Sequence, residues 1–309
     1  MDIERHLDRI RPHVRDPREG IFGRDSIFWR VGREHSLILG GGRALLLQTA
    51  HPFVAYGVHE HSNFRADAAA RGRRTFAATD RMGFGDLDTA FDAARRVAKI
   101  HDRIRGELPV DIGPYRAGTR YDADQQQAAL WVWATLVDSS TRMYQMLVRR
   151  FTREEEDAYY AQARLFAYLF AVEPDTLPPT WRDFQAYCED MFYGGALAVD
   201  DVALGMADFF EKPIYPWMAP AMPLFKAVTS YLLPPPVREM YRLPLGRREE
   251  AIARGVLGSA RAMIPFLPPH VRYSPAYMQT LWRLSGREGS DPTADRVQQV
   301  LYGKRPRAA

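Results

Sequence analysis

Residues 87–106 read LDTAFDAARRVAKIHDRIRG, and their spacing decides the fold. Leu87, Phe91, Ala94, Val97 or Ala98, His101 and Ile104 recur at the three- and four-residue intervals that share one face of an α-helix. Asp86 stands where a carboxylate caps the first turn, and Gly106 stands where the helix ends. A histidine therefore belongs to the core-facing stripe.

Working outward, the same periodicity recurs along most of the chain. The stretch 124–150 carries Leu130, Trp131, Trp133, Ala134, Leu136, Val137, Met143, Tyr144 and Leu147 at helical spacing. Thr152 and Glu155 have capping-box spacing at the head of a helix that runs to Phe170. Pro178-Pro179-Thr180 opens another helix, and Pro275 to Ser285 forms the last one. Toward the N-terminus, Ile3 to Val14 reads as a short amphipathic helix and Arg24 to Leu39 as a loop-rich lead-in. From Arg43 to His61 the chain is apolar on most sides, with Pro52 kinking or interrupting the helix. A further helix is expected over Arg71 to Thr79, and shorter helices with longer loops between Pro213 and Pro236. Alternation with period two is scarce, so the fold class is mainly α. We expect one all-helical domain over residues 1–288, with its core in 20–285, and a polar, flexible tail over 289–309.

Composition narrows the function. The 309 residues are 46% hydrophobic, enough for a substantial core. The 42 basic and 38 acidic residues are dispersed, so the net charge of +4 builds no basic tract for nucleic acid. A single cysteine, Cys188, excludes an internal disulfide and any multi-thiolate metal site. Neither a signal-peptide core nor a run of about 18 uncharged apolar residues is visible, which places the protein in the cytoplasm with no transmembrane segment.

Metal ligation then rests on histidine or carboxylate, and His51, His59, His61 and His101 are the candidates. An isolated histidine on an apolar face is more often a hydrogen-bonded core residue than a ligand. His101 gains from its surroundings: Asp102 follows it, and Arg71, Arg73 and Arg74 lie about one helix away. A haem needs an apolar slot, an axial nitrogen and cations near its propionates. His59-Glu60-His61 lacks the spacing of a helical zinc motif. Gly40-Gly41-Gly42 lacks the lysine and preceding strand of a phosphate loop, and no serine-hydrolase elbow occurs.

Three separated blocks resemble one family. They are His51-Pro52-Phe53-Val54-Ala55-Tyr56-Gly57-Val58-His59-Glu60-His61-Ser62, then Arg71-x-x-Arg74-Thr75, then His101 with Gly106 five residues on. Together with Leu130 to Ser139 and Tyr241-Arg242-Leu243-Pro244, they are similar to the rubber oxygenase catalytic domain family, which includes latex-clearing proteins and MpaB-type oxygenases. The resemblance spans roughly residues 20–285.

The resemblance implies an all-α fold around a buried cavity holding one b-type haem, and the use of dioxygen on a hydrophobic small molecule. It implies His101 as the iron ligand, Arg71, Arg74 and Thr75 as catalytic residues, and Arg71, Arg74 and His51 beside the cofactor. Arg74 stands where the latex-clearing branch carries a lysine. A guanidinium keeps its proton, so it offers iron no lone pair and serves instead as a cation or hydrogen-bond donor. This departure leaves an alternative open: a haem-free enzyme of the same fold doing acid–base chemistry, such as dehydration or cyclisation, on a small natural-product-like substrate. His51 and His59 would then be the bases. A carrier of haem or lipid would need the same pocket.

Overall fold

The computed structural model describes residues 2–61, 64–210 and 216–302; the side chains of 64–73, 216–218 and 301–302 lie outside that description. The described chain is mainly helical. Its helices are α1 (Ile3–Ile10), α2 (Ile27–Gly32), α3 (Gly41–Thr49), α4 (Pro52–His61), α5 (Phe64–Phe84), α6 (Leu87–His101), α7 (Gln126–Leu147), α8 (Arg153–Tyr168) and α9 (Trp181–Tyr193). Then follow α10 (Asp201–Gly205), α11 (Met222–Leu232), α12 (Pro235–Met240), α13 (Arg247–Met263), α14 (Pro269–Arg272), α15 (Pro275–Leu284) and α16 (Pro292–Tyr302). Among the described residues none is long and apolar enough to cross a membrane.

The organising element is α7. Trp131 and Trp133 are fully buried two residues apart, which is possible only for a helix covered on several sides. Their indole N–H groups would be orphaned there, and each finds a carbonyl: Trp131 donates to Leu47 at 2.8 Å and Trp133 to Ala163 at 2.9 Å. Those bonds fix α3 and α8 against α7. On the far side Trp181, Phe184 and Tyr160 complete an aromatic layer around Trp133.

The capping expectations hold. Thr152 and Glu155 form the reciprocal box at α8, and Asp86 caps α6 by accepting from Thr89 N–H at 2.8 Å. Pro52 interrupts as its missing N–H requires: α3 stops at Thr49 and α4 restarts at Pro52.

Four stretches differ from the sequence reading. The lead-in over 24–39 is not mainly loop, because Ser26 caps α2 and Trp29 anchors it through an indole bond to Gly83 O at 2.7 Å. The helix expected over 71–79 extends over α5, since Gly83 is carried within the final turn. The segment after Pro236 includes the long α13, at whose start Gly246 N–H donates to Glu249 Oε2 at 2.9 Å. Finally, residues 292–302 form α16 instead of fraying. Asp291 is buried, accepts from Thr293 and Ala294 N–H, and takes His270 Nε2 at 2.8 Å, so the cap is tied to α14; Ala294 is buried under α15.

Two short strands escaped the periodicity argument. β1 (Arg105–Glu107) pairs antiparallel with β2 (Arg120–Asp122), Gly106 opposite Tyr121. Three residues are too few to show alternation, yet this hairpin positions the site.

Candidate active site

The site is built where α4, the β1–β2 hairpin and the end of α6 converge. α4 lies close across the hairpin because glycine meets it twice. A Cβ on Gly57 would stand 3.2 Å from Ile104 Cγ2. One on Gly106 would stand 2.5 Å from Tyr121 Oη and 2.8 Å from Glu60 Oε2. A side chain at Gly106 would have to displace the Tyr121 phenol and the Glu60 carboxylate. Around this contact Phe53, Tyr56, Ile104, Leu108, Ile112, Tyr115 and Tyr121 form a small apolar cluster separate from the main core.

Polar groups in this cluster are paired. Tyr121 donates its hydroxyl to Glu60, and Tyr56, one turn earlier on α4, donates to Asp200 Oδ2 at 2.8 Å. Asp200 Oδ1 in turn caps α10 through Ala203 N–H at 3.0 Å. Burial, reinforced by the facing carboxylate in each case, pushes both phenols well above their ordinary range. Both therefore remain donors at neutral pH.

His51 is 2% exposed, and both of its ring nitrogens are engaged. Nδ1 accepts the Phe53 N–H at 3.3 Å, which leaves Nε2 to carry the proton. Nε2 lies 3.4 Å from Tyr115 Oη, whose own proton goes to Ala196 O at 3.1 Å. The run His51, Tyr115, Ala196 is thus a one-way donor chain. Burial lowers the imidazole pKa to about 4, so His51 is neutral.

His61 is exposed and bonds through Nε2 to Arg105 O at 3.0 Å, pinning the end of α4 to β1. His59 is half-buried and lies edge-on to Tyr56, with centroids 6.5 Å apart. The three histidines of the first block therefore do not converge, and among the described residues no group of three or more His, Cys, Asp or Glu side chains could hold a metal ion.

His101 occupies the last turn of α6 on the stripe of Leu87, Ala90, Phe91, Ala94 and Ala98, as its spacing predicts. It is half-buried. Burial lowers its pKa, against the opposing pull of Asp124 and Asp102, so the ring is neutral. Among the described residues no hydrogen bond engages its ring nitrogens. α5 and α6 are joined at Gly85-Asp86 and run side by side. Arg71 is thirteen residues before the end of α5 and His101 fourteen after the start of α6, so by helix rise both backbones stand roughly 20 Å from the bend. The Arg71 side chain lies outside the described residues. Arg74 and Thr75 are exposed one turn closer to the bend.

Among the buried charges that the sequence reading missed is one on α3. Arg43, 1% exposed on α3, contacts Asp138 at 2.5 Å and donates to Ser139 Oγ at 2.8 Å and Leu232 O at 3.0 Å. Its signal was an arginine within the apolar run Gly42 to Leu47.

No curated protein and no solved structure matches the chain. A family model, described as the ER-bound oxygenase mpaB/B'/rubber oxygenase catalytic domain, matches residues 29–262, about three quarters of the chain. That span contains α3 to α12 and all but the end of α13, together with the whole convergence of α4, the hairpin and α6. The chain belongs to this family of oxygenase catalytic domains.

Proposed function

We propose that the protein is a haem-dependent oxygenase or oxidase that uses dioxygen on a hydrophobic small molecule, with His101 as the iron ligand. The observation that carries this reading is the state of His101: a neutral imidazole on a core-facing helix stripe, its nitrogens not hydrogen-bonded among the described residues. Such a nitrogen would hold the iron of a haem, whose porphyrin would supply the other donors. When bound, haem b supplies the iron and oxygen chemistry.

The chain's own residues do the rest. His101 would offer iron its lone pair, and the nearby charge of Asp124 stabilises positive character on the ring. Arg71, at the level of His101 along the neighbouring helix, and Arg74, one turn away, supply fixed positive charge for carboxylates or for a developing oxyanion. Thr75 adds a hydroxyl beside them. His51 serves as a brace: through Tyr115 and Ala196 it ties the start of α4 to the segment after α9. Tyr121 and Glu60 hold the other end of α4 against the hairpin that follows His101. The aromatic lining of this hairpin suits an apolar substrate over a charged one.

Reconstituting the purified protein with hemin and supplying apolar terpenoid- and polyketide-like substrates under isotopically labelled dioxygen tests the reading. Label in a product, lost with Arg71→Ala while haem stays bound, supports it. Turnover that is equal without haem or without dioxygen refutes it and favours acid–base chemistry on the same fold.

A further inference from the structure

The connection from α13 to α14 leaves several apolar side chains in water. Phe266 is 87% exposed, Met263 58% and Val271 51%. Isolated exposed apolar residues are ordinary, but three within nine residues on one turn are a patch. The same segment also contributes inward: Ile264 is buried and Leu267 packs against the cluster of Leu147, Leu232 and Leu257. The protein's own core is thus closed by Ile264 and Leu267, and Met263 and Phe266 are surplus to it.

The backbone of this turn is unusually self-contained. Three of the six residues 264–269 are proline and carry no N–H. The Ile264 N–H goes to Ala260 O, and that of Leu267 to Ile264 O. Beyond the prolines, Val271 N–H is taken by Pro268 O and that of Arg272 also by Pro268 O. A segment whose backbone donors are absent or internally satisfied can leave water at little cost.

Charge selects the occupant. From residue 251 to 287 the chain contains no aspartate or glutamate; of its arginines, Arg254, Arg272 and Arg283 are paired with Glu250, Glu34 and Asp86, which leaves Arg261 as the cation nearest the turn with no carboxylate partner among the described residues. Arg261, two residues before Met263, is exposed and bonds a carbonyl, Met146 O, at 2.7 Å. That contact brings the end of α7 alongside, where Arg142 and Arg150 are exposed. A second copy of this chain would set one arginine rim against another. A fluid anionic surface needs no shape match and accepts both the apolar side chains and the rim.

We propose that the α13–α14 turn is a membrane-surface docking site, inserting Phe266, Met263 and Val271 among the acyl chains of an anionic lipid surface while Arg261 meets the headgroups. The proposal stands independently of the oxygenase reading, since neither His101 nor a cofactor enters it.

Flotation of the full-length protein with vesicles tests it, using phosphatidylcholine alone and phosphatidylcholine with about 30% phosphatidylglycerol. The expected result is flotation with the anionic vesicles, weakened by salt, and reduced at least about tenfold in the double variant Met263→Ser/Phe266→Ser at unchanged melting temperature. The variant Arg261→Gln should bind less at low salt and show a shallower salt dependence. No flotation with anionic vesicles, or flotation that the double variant leaves unchanged, overturns the proposal. So does a concentration-dependent dimer in solution that the double variant abolishes, which would assign the patch to a second copy.

Discussion

Tyr121 donates its hydroxyl to Glu60 directly over the α-carbon of Gly106, so a phenol on β2, a carboxylate on α4 and a bare backbone on β1 occupy one contact. Replacing Gly106 with alanine would drive a methyl into both partners. The expected cost is about 1–3 kcal/mol of stability, with the Tyr121 to Glu60 bond broken. Urea unfolding of Gly106→Ala beside Gly118→Ala checks this. Gly118 has open space around its Cβ, so its cost comes from positive φ alone; a smaller loss at Gly106 than at Gly118 would contradict the contact.

Arg43 and Asp138 make the second stability prediction. Burial presses the guanidinium pKa down while Asp138 holds it up, and removing one partner leaves the other's charge uncompensated. Arg43→Met should cost about 3–5 kcal/mol, and the double variant Arg43→Met/Asp138→Leu should recover a large part of it. Additive losses measured by chemical denaturation would show that the pair is not coupled.

Much of this architecture is legible in the sequence, and the reason is local. Helix stripes, the Thr152 to Glu155 box and the Pro52 break depend on residues within one or two turns, so periodicity and capping chemistry reveal them. His101 was legible for the same reason: its side is set by its own helix. Long-range pairings are not. Nothing local says that Tyr121 reaches Glu60 or that His51 spends both nitrogens on Phe53 and Tyr115. The α16 helix was missed because a polar composition suggests fraying, whereas its cap is secured by His270 from another helix.

The pH dependence follows from His51. Its folded pKa, about 4, lies below the unfolded value of 6.5, so the unfolded chain binds the extra proton. The stability tied to this residue is complete above about pH 6.5 and is lost as pH falls toward 4, by about 3 kcal/mol in all. His35, His6 and His101 are also lowered by burial and add to the same slope. Denaturation midpoints between pH 7 and 4 should fall less steeply in His51→Gln than in the parent. Equal slopes would mean that His51 is not the neutral, buried donor described above.

Thr75 and Arg74 are exposed beside the level of His101, so their substitution should spare the fold. Arg74→Lys and Thr75→Val should each keep the melting temperature within about 1 kcal/mol of stability. Product formation, measured on the hemin-loaded protein, should fall in both variants. Unchanged turnover would remove these residues from the chemistry while leaving His101 in place.

The most direct measurement is the absorption spectrum of the protein purified from cells supplied with haem precursor, beside that of His101→Ala. The account predicts a Soret band in the parent and its loss in a variant whose circular dichroism is unchanged. A parent without the band, or a variant that retains it with the same axial signature, would contradict His101 as the iron ligand.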